Sequence, residues 1–304
     1  MFWILFFRMV ALASLYGGQA VTQGVMMRGA SSFAVSIQTT KGIETKVFPY
    51  STARLRYSFL NWPFIRGIVA FVEALHIGYT SLIHASTVVS QDDEDETPLS
   101  WTVLAGMVVV SLALGLFLFK FVPLWLTALA DSSLHFPSWL FNLIDGILTL
   151  LIFVFYLYII GRSKDIQEVF RYHGGEHKVI NCLENNKSLS IKNILSQSQV
   201  HLRCGTTFLF VVFFISIFLY VFIPKDLPFF VNLGLRIGLL PLIASISFEL
   251  QQFIARIQHP LFTWILLPGL ALQSLTVLTP QPKHARVAKA ALQAVIDSEK
   301  NEQT

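Results

Sequence analysis

The chain has 304 residues, 54% of them hydrophobic and only 13% charged, with a mean hydropathy of +0.61 and a formal net charge of +4. Soluble domains carry roughly twice that share of charge, so the composition excludes an ordinary globular protein and points to a membrane. The positive balance then suits anionic headgroups rather than nucleic acid, and the two cysteines, Cys182 and Cys204, are too few for a disulfide framework.

Residues 1–16 are apolar but carry Arg8 in mid-run and have no basic leader, so an uncleaved interfacial or packed helix is expected there. Between Gly17 and Tyr50, Phe33, Val35 and Ile37 alternate with small or polar residues, and Ile43, Thr45 and Val47 repeat the pattern after Thr-Lys-Gly. That period of two predicts a β-hairpin, kept in water by Arg28, Lys41, Lys46, Arg54 and Arg56, within an N-terminal region 1–61. Residues 62–90 have helical length but hold Arg66, Glu73, His76 and His84, which predicts an amphipathic helix on or against the membrane domain. The acidic run Asp92–Glu96 marks 91–100 as a linker, since a calcium loop would need glycine and interspersed ligands.

A membrane domain is expected over 101–280. Residues 101–119 and 206–223 hold no charge, 138–160 hold only Asp145, and 229–248 hold only Arg236. These four stretches approach the roughly twenty residues that a helical span requires. Residues 261–278 are apolar but interrupted by Pro268-Gly269 and preceded by Pro260, so they read as interfacial or re-entrant, with a fifth span as the alternative. A soluble amphipathic helix is expected within 281–304. The fold class is therefore mainly α: a polytopic helical membrane protein of about four transmembrane helices with a small β-hairpin region near the N-terminus. Basic residues crowd the segments before 101, between 162 and 205 and after 248, whereas the opposite loops offer Lys120 and Lys225. The positive-inside rule puts both termini and the loop 162–205 in the cytoplasm, in a bacterial plasma membrane or an organelle membrane of bacterial descent.

Chemistry concentrates in that loop. His173 and His177 stand four apart with Glu176 between them, the H-x-x-E-H spacing in which two histidines on one helix face ligate zinc and the glutamate activates water. Against it stands Gly174-Gly175, which weakens the helix that the geometry needs. A third ligand is required, and Glu184, His201 and Cys204 are the candidates. Inside the spans, Asp145 and Arg236 are expected to pair. Glu249 at a span end, and Glu73 with His76 on the 62–90 helix, are further candidates to line a pocket.

Five blocks carry a resemblance: GGQAVTQGVMMRGA at 17–30, PFIRGIVAFVEAL at 63–75, RYHGGEHKVINCLE at 171–184, HLRCGTTFLF at 201–210 and PGLALQSLT at 268–276. Together they resemble the YqhQ-like family of bacterial membrane proteins of unknown function, whose members are regarded as metal-dependent enzymes. The resemblance implies that His173, Glu176, His177, His201 and Cys204 belong to a family motif. It also shows a departure, because Gln23 stands where the family usually has glutamate. The expected activity is that of a membrane-embedded metal-dependent enzyme, a hydrolase in particular. Its divalent metal, zinc by preference, would be held by His173, His177, Cys204 or His201, with Glu176 as the catalytic group. The alternatives are a non-enzymatic scaffold or assembly factor and a small transporter. The partners expected are the lipid bilayer and a lipid or membrane-protein substrate.

Overall fold

A computed structural model describes residues 16–92, 101–257 and 260–301. The helix expected over 1–16 and nearly all of the acidic linker lie outside the described residues. Near the N-terminus, β1 (Gly17–Val21), β2 (Gly24–Arg28), β3 (Ser32–Thr39) and β4 (Gly42–Pro49) form an antiparallel meander in the order β1-β2-β3-β4. The β3–β4 pair is the hairpin that the alternation predicts, with Ile37 opposite Glu44 and a turn that closes on Gly42 at φ +133°. Glycine adopts that angle without steric cost. The β1–β2 hairpin is an addition to the expectation. Its strands are short, and Gln23 occupies the turn at φ +54°.

The sheet is covered on both faces. Val21, Met26, Phe33, Val35 and Ile37 pack against Ile77, Ala85 and Val88 of a 28-residue helix, Ile65–Asp92. The opposite face presents Val25, Met27 and Ala34 to the helix Lys164–Glu184 and to the C-terminal helix Pro282–Asn301. Small residues on that side of β3 meet Ala285, Ala288 and Ala291, which lets the helix approach closely. Sheet, loop helix and C-terminal helix thus form one layered unit from parts more than a hundred residues apart.

In chain order the helices are α1 (Ala53–Arg56), α2 (Ile65–Asp92), α3 (Trp101–Leu116), α4 (Val122–Leu134), α5 (Ser138–Ile160), α6 (Lys164–Glu184), α7 (Ile191–Leu195), α8 (Gly205–Tyr220), α9 (Phe229–Gly238), α10 (Leu240–Ile257), α11 (Pro260–Thr276) and α12 (Pro282–Asn301). Among the described residues, four helical stretches are long and apolar enough to cross a membrane: 65–92, 105–134, 138–160 and 229–254. The number matches expectation, but the set differs. The first expected span continues through a π-helical turn at Phe117–Phe121 into α4. The expected span 206–223 is realised as α8, whose 16 residues reach only about 24 Å, short of the ~30 Å hydrocarbon core. In its place by length stands α2. That helix, however, covers the sheet with Ile77, Ser81, Ala85 and Val88, and ties Asp92 to the backbone of Thr40. A helix so occupied cannot be ringed by lipid over those turns. Residues 261–278 form α11, a 17-residue helix with Pro268 inside it. Its Gly269 lies against the Phe210 ring of α8.

Where charge enters the apolar bundle, it is neutralised. Arg236 of α9 hydrogen-bonds Asp145 and Asn142 of α5 as well as Asn232 one turn earlier, and all four are buried. Tyr220 donates to the carbonyl of Arg236 at 3.0 Å and lays its ring 4.7 Å from the guanidinium. Lys120 reaches the same hydroxyl at 3.3 Å. The pairing expected between Asp145 and Arg236 is therefore present and fully hydrogen-bonded. Breaking such a pair from one side strands a charge in low dielectric at about 3–5 kcal/mol. Asp145→Asn and Arg236→Gln should each lower thermal stability in detergent, and the double variant should recover part of the loss. Strictly additive losses would contradict this account of the pair.

Candidate functional site

The helix α6 runs unbroken from Lys164 to Glu184, straight through Gly174-Gly175. The glycines serve packing. A Cβ on Gly174 would stand 2.1 Å from the carbonyl oxygen of Leu278, and one on Gly175 would stand 3.0 Å from that of His284. Without those side chains, the segment that joins α11 to α12 lies directly on the helix, where the amide of Leu278 donates to the carbonyl of Phe170 at 3.0 Å. The weakness that glycine brings to an isolated helix is outweighed here by tertiary packing.

The next turn of α6 holds the loop 195–204. Lys178 donates Nζ to the carbonyls of Leu195, at 2.8 Å, and Gln197. Asn181 donates Nδ2 to Ser198 at 2.8 Å and to Val200 at 3.1 Å. His177 donates from Nδ1 to Gln199 at 2.6 Å. A loop without regular structure has carbonyls that need donors, and three side chains on one face of the helix supply them. Burial pushes Lys178 below its ordinary value. The loop leads to Cys204, which is the N-cap of α8 and accepts the amide of Thr206 on Sγ at 3.4 Å.

His173, His177 and Cys204 meet at this junction, each with a ligand atom within 4.8 Å of the others. His173 Nδ1 lies 2.9 Å from the carbonyl oxygen of Thr276 at the end of α11. A carbonyl can only accept, so Nδ1 of each ring carries a proton, and the nitrogen left to coordinate an ion is Nε2. His173 Nε2 is 3.4 Å from Cys204 Sγ. A backbone carbonyl that fixes the tautomer through the remote nitrogen is the usual outer support of a metal-bound histidine. The cluster could hold a metal ion.

Glu176 is buried beside it, with Oε2 3.6 Å from His177 Nε2. Its aliphatic stem packs on β1 at Gly18, where a Cβ would come within 2.8 Å of Glu176 Cγ. The sheet thereby sets the position of the carboxylate.

His201, the remaining sequence candidate, is not drawn into the cluster. Its Nε2 faces Glu184 at 3.4 Å, and its backbone is clamped by Gln273, which accepts from the amide and donates to the carbonyl at 2.7 Å. Glu184 also pairs with Arg203. Burial would raise the Glu184 carboxyl, but the hydrogen bond from His201 and the charge of Arg203 outweigh it and hold the group below its ordinary value. Glu249 and Glu73 are likewise engaged elsewhere: Glu249 binds Arg66, and Glu73 binds Thr52, Arg28 and Arg54. Cys182 is buried in the core under α12, and burial raises its thiol. The supporting residues Lys178, Asn181, Gln199 and Thr276 escape sequence reasoning. The spacing 177, 178, 181 marks one helix face, but carbonyl acceptors carry no sequence signature.

The architecture is that of a polytopic helical membrane protein whose α/β layer gathers two histidines, a cysteine and a buried glutamate at one point. The chain belongs to the family described as "Protein of unknown function (DUF1385)", whose model matches residues 62–298. It is 31% identical over 289 residues to the uncharacterized protein YqhQ of Bacillus subtilis (strain 168), across 90% of this chain and 89% of the relative. No solved structure matches.

Gly174→Ala tests the packing role. Helix propensity alone would make alanine stabilising by about 1 kcal/mol, whereas a contact 2.1 Å from Leu278 O should destabilise by ~1–3 kcal/mol through overpacking. A lowered melting temperature in detergent is expected. A raised one would show that the junction does not need the close approach.

Proposed function

We propose that the protein is a membrane-embedded metal-dependent enzyme, a hydrolase, whose divalent ion, zinc by preference, is bound by His173, His177 and Cys204. The observation that carries this reading is the pair of Nδ1–H···O=C bonds, which leave both Nε2 lone pairs beside one sulfur. Two histidines and a thiolate form a three-ligand set suited to zinc, with a fourth position left for water. A metal bound there supplies Lewis-acid activation of that water and of a substrate oxygen. His173 and His177 orient the site through their carbonyl partners. Cys204 offers its sulfur at the N-terminus of α8, where it accepts the Thr206 amide. Glu176, 3.6 Å from His177 Nε2, is placed to act as the general base and acid, and would take a proton from that water and return it to the leaving group.

Metal content decides between this and the scaffold reading. Wild-type protein purified without chelator from metal-replete medium should carry one tightly bound divalent ion per chain. His173→Ala, His177→Ala and Cys204→Ser should lose it, while Glu176→Gln should keep it. Loss of metal in Glu176→Gln would make the glutamate a fourth ligand and the site a structural one. Metal-free wild type would end the enzyme reading in favour of the scaffold. The transporter reading has little left to support it, since Asp145 and Arg236 are already paired and hydrogen-bonded.

The basic bias of the chain supports a cytoplasmic location for this site and for both termini. Lys187 lies exposed in the turn after α6, and both native cysteines are buried. Lys187→Cys should therefore resist an impermeant thiol reagent in intact cells and react after permeabilisation. Labelling of intact cells would reverse the orientation.

A further inference from the structure

The helix α2 has two apolar faces. One, made by Ile77, Ala85 and Val88, is buried on the sheet. The other, made by Ile68, Phe71, Val72, Leu75 and Leu82, is exposed. Their spacing of three, four and seven residues draws a single stripe, and at 100° per residue it lies roughly opposite the sheet-facing side. Immediately before α2, Tyr57, Phe59, Trp62 and Phe64 are exposed as well, Trp62 to 63%. Beside them Arg56 is exposed, with its guanidinium 5.6 Å from the Tyr57 ring.

This surface is fastened to a span. Phe64 sits at φ +69°, a conformation that a bulky aromatic adopts only when its surroundings impose it. Those surroundings belong to α10: the carbonyl of Phe64 accepts from Ser245 Oγ, its amide donates to Glu249 at 3.3 Å, and Arg66 pairs with Glu249. Gly67 lets α2 touch the backbone of Ser245, where a Cβ would stand at 3.0 Å. Glu249 lies five residues before the end of the apolar stretch 229–254. The aromatic segment is therefore held beside the C-terminal end of that apolar stretch.

We propose that residues 56–75 form an interfacial anchor, with the aromatic rings and the α2 stripe lying in the headgroup–acyl boundary of a phospholipid leaflet and Arg56 meeting lipid phosphate. Three observations select lipid as the occupant: the surface is continuous with a spanning helix, its composition is the aromatic-plus-cation pattern of membrane interfaces, and a strained turn aims it outward. The anchor would lay the sheet, and with it the site, flat on the membrane. It stands independently of whether that site binds metal.

Fluorescence of the full chain in phosphatidylcholine–phosphatidylglycerol vesicles tests it. Subtracting the spectrum of Trp62→Phe from that of the wild type isolates Trp62 from the other tryptophans, and the exposed ring makes the substitution mild. With lipids brominated near the headgroup end of the acyl chains, the difference signal should lose most of its intensity. Lipids brominated near the terminal methyl should quench it far less. Stronger quenching by the deep bromines would make α2 a span and overturn the proposal. A long-wavelength signal quenched by neither would place Trp62 in water and also overturn it. A short-wavelength signal quenched by neither would mean that protein, a second copy included, covers the surface.

Discussion

The close approach of the segment 277–281 to α6 is the contact on which the rest of the structure depends. It is possible because Gly174 and Gly175 present no side chains where Leu278 and His284 pass. From that contact the chain turns into α12 and lays its alanine face on the sheet. The carbonyl of Thr276, immediately upstream, falls beside His173 and fixes its tautomer. Burial lowers the proton affinity of His284 even though its hydrogen bond to Glu168, at 3.0 Å, opposes the shift. The ring is therefore held neutral, accepting the Gln281 amide at 2.9 Å. A single pair of small residues thus seats a helix and orients a histidine of the cluster.

Within the bundle the governing problem is different. Polar groups there have no water, so each must find a protein partner. The guanidinium of Arg236 meets two carbonyl oxygens of asparagine and a carboxylate, and Tyr220 covers its face. This network ties α5, α8 and α9 together without reference to the His–His–Cys cluster. The two are separate solutions: one satisfies a buried charge, the other gathers two rings and a sulfur at a helix end.

Much of this was legible in the sequence because it rests on local pattern. Apolar runs marked the long helices, alternation marked the β3–β4 hairpin, and spacing put His173, Glu176 and His177 on one helix. Cys204, at the mouth of α8, lies against His173, and the His201 ring stands 5.7 Å from that of His177 but turns its Nε2 to Glu184. What the residues could not show came from distance along the chain. Nothing in 17–49 states that its second face waits for 164–184 and 282–301. The Gly-Gly pair read as a flaw because its partner, the Leu278 carbonyl, is a backbone atom common to every sequence. The helix α2 was taken as amphipathic. Its two apolar faces are separated in angle but mixed in sequence, and length alone would count it as a span.

The layering also fixes an order of assembly. Strands β1–β4 are synthesised before α2, which follows soon after them and can cover one of their faces at once. The other face stays open while α3 to α11 are made, because α12 follows them in the chain. A nascent chain must therefore carry a half-covered apolar sheet, with the aggregation risk that exposed strands bring, until α12 docks. The His–His–Cys cluster shares that timing, since Thr276 arrives only a few residues earlier. Completion of the cluster thus reports that the end of α11 has reached α6.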